Sequence, residues 1–149
     1  MSASTPFRRP APLAAAVFAL ALLHALLFAV VVPPWQGPDE PRHFEYMALL
    51  ARGATLGDAQ SLALQQEILA SMEEHRFWEL GYSIVPYDPA NPPATLDDVW
   101  PGYAHETHQP PLYYHLGAGL LRLTPAWPLD RQLLLVRVFG ALMGAGVAV

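Results

Sequence analysis

From Ala11 to Val32 the chain carries no charged residue, and only Pro12 and His24 interrupt an otherwise apolar run. A stretch of that length matches the ~20 residues a helix needs to cross the hydrocarbon core of a bilayer. Pro12 falls in the first turn, where its missing N–H leaves no bond unmade. Pro33 and Pro34 end the run, and Trp35 stands where an interfacial aromatic is expected. This one segment excludes an ordinary soluble fold with charge spread over its whole length. The rival reading is a cleaved signal peptide, but the run exceeds the usual ~7–15 apolar residues, and Val30-Val31-Val32-Pro33-Pro34 is a poor cleavage site.

The charges support an anchored chain. All 13 acidic residues lie between Asp39 and Asp130, and Arg8 and Arg9 are the only charges before Trp35. Basic residues before the span and acidic ones after it place residues 1–10 in the cytoplasm by the positive-inside rule. Residues 33–130 then form an extracytoplasmic loop. The net charge of −5 excludes nucleic acid as a partner, since nothing would neutralise a run of phosphates. There are no cysteines, so neither a disulfide nor a thiolate metal site is available.

A second apolar run begins at Leu133 and is broken only by Arg137. It reads as transmembrane helix 2 over residues 131–149, cut short at Val149 with no polar flank. The expected fold is an all-α integral membrane protein of the cytoplasmic membrane, multi-pass in its full form. Its external loop is read as three helices near residues 39–52, 58–80 and 110–123. In the first, Asp39 is a candidate N-cap and Pro41 sits in the first turn, with Phe44, Met47, Ala48 and Ala51 along one face. Asp58 caps the second, whose apolar positions are Leu62, Ile68, Leu69 and Met72. Tyr82 to Tyr87 reads as a short extended piece, and Asp88 to Gly102 as an irregular, proline-rich loop. The third helix is too short to span; Tyr113, Tyr114 and Arg122 suit one lying at the membrane interface.

Two short motifs carry the chemistry. One is Gly37-Pro38-Asp39-Glu40-Pro41-Arg42-His43, directly after the first span. The other is His108-Gln109-Pro110-Pro111-Leu112-Tyr113-Tyr114, followed by Arg137 in the last run. Their order resembles the N-terminal part of GT-C glycosyltransferases, the class that includes protein O-mannosyltransferases and bacterial aminoarabinose transferases. The resemblance covers nearly the whole chain and is closer still to bacterial relatives bearing "GPDE-x-x-H" and "PPLYY". It implies a membrane enzyme that moves a sugar from a polyprenyl-phosphate donor to an extracytoplasmic acceptor. It implies that Asp39 is the catalytic carboxylate, with Glu40 beside it. Better-known members have a Lys before the Pro-Pro pair that contacts the donor phosphate; here that position is the uncharged Gln109. Arg42, His105, His108 and Arg137 are then candidates for the phosphate, and His43, Tyr113 and Gln109 for other contacts with substrate.

Each residue also has a plainer role. Asp39 is a helix cap, Tyr113 and Tyr114 are interface anchors, and Arg137 snorkels to headgroups. His43 lies four residues from Asp39 and three from Glu40, a cluster suited to a divalent metal or simply to a His–carboxylate pair. His105-Glu106-Thr107-His108 is no zinc motif, because its histidines are spaced i,i+3 rather than i,i+4. The alternative to an enzyme is a membrane protein whose acidic external loop binds a partner. On the transferase reading these 149 residues hold only part of the active site and turn nothing over alone.

Overall fold

In the computed structural model, residues 11–80, 86–102 and 106–149 are described, and the described chain is helical with no strand. It divides into two compact units. One comprises the N-terminal segment to Val31 together with Arg137–Val149; the other is Val32–Val136. The expected extended piece at Tyr82–Tyr87 falls mostly outside the described residues, as does His105.

In the first unit, helix α1 runs Ala11–Val31 and is the one described helix long and apolar enough to cross a membrane. Leu20, Leu23, Leu27, Phe28 and Val30 are exposed, a half-buried stripe runs through Ala14, Phe18, Ala21 and Ala25, and only Ala29 is fully buried. A helix apolar on every face has no amphipathic stripe to direct it onto a soluble core. The other contributor is the C-terminal part of α7, which runs Leu129–Val147. There Arg137 donates from Nη1 to the Ala29 carbonyl at 2.9 Å. Ala29 lies in the last turn of α1, where helix carbonyls lack an intrahelical donor and favour a cation. Arg137 therefore caps a helix, a role its isolated position in an apolar run did not reveal.

The second unit holds helices α2 (Glu40–Arg52), α3 (Ala59–Glu74), α4 (Phe77–Leu80), α5 (Leu96–Val99), α6 (Pro111–Arg122) and the start of α7. The most extensive pairing is α2 on α6. It is close because Gly117 has no side chain: a Cβ there would sit 2.5 Å from the Met47 sulfur. Arg122 fastens the other end, donating to the carbonyls of Leu50 (2.8 Å) and Ala51 (3.2 Å) at the C terminus of α2. Gly53 ends α2 in the left-handed region at φ 68°, the usual glycine stop. On α3, Asp58 accepts from the Ser61 N–H at 2.7 Å and closes the first turn. Phe44, Met47, Leu64, Ile68, Met72, Leu96, Tyr114 and Leu133 share one core.

Several expectations change. The helix expected over 58–80 stops at Glu74, where Arg76 turns left-handed (φ 58°), and resumes as the single turn of α4. Leu62, assigned to its apolar face, is exposed, and Leu64 takes the core position instead. The loop expected over 88–102 contains α5, organised by the Asp98 carboxylate, which accepts from the backbone of Ala94 (3.0 Å) and Thr95 (2.8 Å). Trp35 is no interfacial aromatic: it is 1% exposed, packs edge-on to Phe44 and donates from Nε1 to the Ser71 hydroxyl at 3.0 Å. Tyr114 and Arg122, expected at a membrane interface, both engage α2. The open face of α6 carries Leu112, Leu116 and Leu123 instead.

Candidate functional site

The first motif is a tight turn followed by α2. Trp35 (φ 69°) and Asp39 (φ 54°) both hold left-handed backbone, a conformation that is rare for a bulky side chain and more often seen for Asp. The buried Trp35 anchors the turn from below. Asp39 stands at its outer edge, exposed, and its side chain makes no capping hydrogen bond to α2. Its carbonyl does the local work, accepting from the backbone N–H of Arg42 and His43 at 3.0 Å each. Glu40 folds back onto the turn, and its carboxylate accepts from the Gly37 N–H at 3.3 Å. Of this adjacent pair, Glu40 is the one whose carboxylate is bonded to the backbone of the turn.

Arg42 points inward. It is 5% exposed and pairs with the buried Glu45 at 3.3 Å and with Asp97. Glu45 also accepts from Gln65 Nε2 at 2.5 Å, and Gln65 Oε1 accepts from the Leu96 N–H at 3.1 Å. This polar chain ties α2 to α3 and α5 beneath the motif, and each charge in it has a countercharge or donor. The candidate phosphate ligand Arg42 is thus engaged by two carboxylates of its own loop.

His43 points toward the second motif. Its Nδ1 lies 2.7 Å from the Tyr114 hydroxyl, across 71 residues of sequence. The Glu106 carboxylate lies 3.7 Å from the same nitrogen. Tyr114 is 4% exposed and is held by Tyr46 and Tyr113, with ring centroids 4.5 and 5.6 Å away. Burial, with the Glu106 charge beside it, pushes the Tyr114 phenol up to about 12. Burial alone raises Tyr113. Glu106, in the 3-10 turn Glu106–His108, belongs to neither motif. Sequence reading named it only within the rejected zinc pattern, and no local signal tied it to His43.

His108 and Gln109 follow at the exposed end of that turn, with the Gln109 N–H bonded to the Glu106 carbonyl at 2.9 Å. Arg137 belongs to the other unit. Among the described residues no three His, Cys, Asp or Glu side chains converge as metal ligands. The Asp39–Glu40–His43 cluster is divided by its geometry: Glu40 faces Gly37, and His43 presents Nδ1 to Tyr114.

No family model matches this sequence. No curated protein and no solved structure is significantly similar to it either.

Proposed function

We propose that this chain is the N-terminal part of a GT-C-like membrane glycosyltransferase acting on a polyprenyl-phosphate-linked sugar. On this reading α1 is an uncleaved anchor with its N terminus in the cytoplasm. Residues 33–130 face the opposite side of the cytoplasmic membrane, and α7 begins a second span. The observation that carries the reading is the meeting of His43 with Tyr114. The two motifs behind the family resemblance lie far apart in sequence, yet a residue of each shares one hydrogen bond. The exposed apolar stripe Leu112–Leu116–Leu123 on α6 is further support, since it suits a lipid surface or neighbouring membrane helices.

Asp39 is the catalytic carboxylate in this scheme. It follows the end of α1 by a few residues of sequence, and its side chain makes no capping hydrogen bond. The test is Asp39→Asn in the full-length protein, assayed in membranes for transfer of radiolabelled sugar from polyprenyl phosphate. Loss of a positioned acid–base carboxylate is expected to lower transfer by roughly 100-fold or more. Transfer at the unmodified rate, with normal protein levels, would remove Asp39 from the mechanism.

A further inference from the structure

Helix α6 is apolar on two opposite faces. Its inner face, Tyr114, Gly117, Ala118 and Leu121, is buried, and α2 is its main contact. Its outer face carries Leu112, Leu116 and, just past the C-terminal end, Leu123, which are 72%, 45% and 79% exposed. Gly119 lies between them, with nothing within 4 Å of the place a Cβ would take. These four positions follow the i, i+4, i+7, i+11 spacing of a single helix face. Trp127, in the turn that follows, is 49% exposed.

Two observations point to what covers this face. The first is charge. The chain carries −5 overall, yet between Glu106 and Asp130 it has no acidic residue, and its ionisable groups there are His108, Tyr113, Tyr114, His115 and Arg122. The exposed positions of α3, by contrast, include Glu67, Glu73 and Glu74. Anionic headgroups repel carboxylates, and the loop keeps its carboxylates out of this one segment. The second is continuity along the chain. Leu123 is followed by Trp127, a residue type that settles at headgroup level, and then by the apolar run that opens at Leu133.

We infer that α6 lies in the plane of the membrane surface, with Leu112, Leu116 and Leu123 inserted into the lipid of the extracytoplasmic leaflet. The docking rests on α1 being an anchor, as in the reading above, but not on sugar transfer. It also sets the height of the motif site. Tyr114 is two residues from both Leu112 and Leu116, which turns it to the opposite side of the helix. With the outer face sunk ~5 Å into the acyl boundary, the far side of a helix ~10 Å across stands among the headgroups. His43, 2.7 Å from the Tyr114 hydroxyl, is then held at the level of lipid phosphates.

The test uses spin labels on single cysteines in the full chain, reconstituted in nanodiscs of mixed phosphatidylcholine and phosphatidylglycerol. Labels at Leu112→Cys and Leu116→Cys are compared with Leu20→Cys on α1 and with Ala63→Cys, exposed on α3. Collision with oxygen reports lipid, and collision with a water-soluble nickel chelate reports solvent. The expected result is that the two α6 labels favour oxygen, as Leu20 does, at shallower depth, while Ala63 favours nickel. Nickel collision at Leu112 and Leu116 equal to that at Ala63 overturns the docking. Protection of both labels from both reagents also overturns it, because protein rather than lipid then covers the face. A Leu20 label in water overturns the anchor and the docking with it. Leu112→Glu with Leu116→Glu alters only open side chains, so helix content should be unchanged. In the transfer assay this double variant is expected to raise KM for the lipid-linked donor by ~10-fold, through weaker seating on the lipid. An unchanged KM overturns the role of α6 in setting the height of the site. No transfer by the unmodified full-length protein overturns the transferase reading, while the spin labels still decide the docking.

Discussion

Asp39 carries backbone strain at the exposed edge of a turn. Its left-handed φ of 54° costs an L-residue energy that glycine would not incur. Its side chain makes no capping hydrogen bond to offset that cost. Asp39→Gly should therefore leave stability unchanged or raise it by up to ~1 kcal/mol, and Asp39→Ala should lower it by ~1 kcal/mol. Chemical unfolding of both variants checks this. If Asp39→Gly is as stable as the parent, its effect on transfer reports the carboxylate alone. Tyr114 gives a second measurement at this scale. Its phenol is raised from 10.0 to about 12 in the fold, so the folded state binds its proton more tightly than the unfolded state. That stability is fully present below pH 10.0 and is lost as pH rises toward about 12. Tyr114→Phe should flatten this alkaline decline in a pH series of thermal unfolding. An equal decline in the variant would show that the phenol is not the group responsible.

At the scale of elements, the α2–α6 pair depends on a single absent side chain. Gly117→Ala gains helix propensity but drives a methyl into the fully buried Met47 sulfur. Overpacking of this kind costs ~1–3 kcal/mol, more than alanine returns. The net effect should be destabilising, and smaller in a Met47→Val background, so that a double-mutant cycle shows coupling. Additivity there would mean the methyl is accommodated elsewhere. The same helices show what sequence could and could not convey. The stripe Phe44–Met47–Ala48 and the Asp58 cap were legible because spacing and cap chemistry are local. Arg42 and Glu45 were not. They lie off the apolar stripe and look solvated until α3 and α5 cover them and Gln65 supplies the bonds. The turn of α5 was hidden for a related reason, because prolines announced a loop while the Thr95–Asp98 pair held one helical turn within it. Glu106 joined the site only through the fold of the connection before α6, which no periodicity predicts.

For the molecule as a whole, the two units obey different rules. Residues Val32–Val136 bury an apolar core crossed by polar links, whereas α1 leaves leucine, phenylalanine and valine side chains exposed. In water that exposure would be very unfavourable, at ~25 cal/mol per Å² of apolar surface; in lipid it has no such cost. The same contrast predicts which side each part faces. Arg8 and Arg9 precede α1, and every acidic residue follows it, so the N terminus should stay in the cytoplasm while Val32–Val136 crosses. The chain has no cysteine, which makes single-cysteine mapping clean. A cysteine at the exposed Ala63 should react with a membrane-impermeant maleimide in intact spheroplasts, and one at Ser2 only after permeabilisation. Labelling of Ser2→Cys alone in intact spheroplasts would invert the topology and remove the loop from the side where polyprenyl-linked sugars are consumed. A processed chain that has lost its N terminus yet labels at Ala63→Cys would make α1 a leader, because the residues before the cleavage point would be missing from the mature protein's mass. Labelling as expected, with α1 retained, would fix Asp39 and His43 on the extracytoplasmic face, within reach of a lipid-borne phosphate.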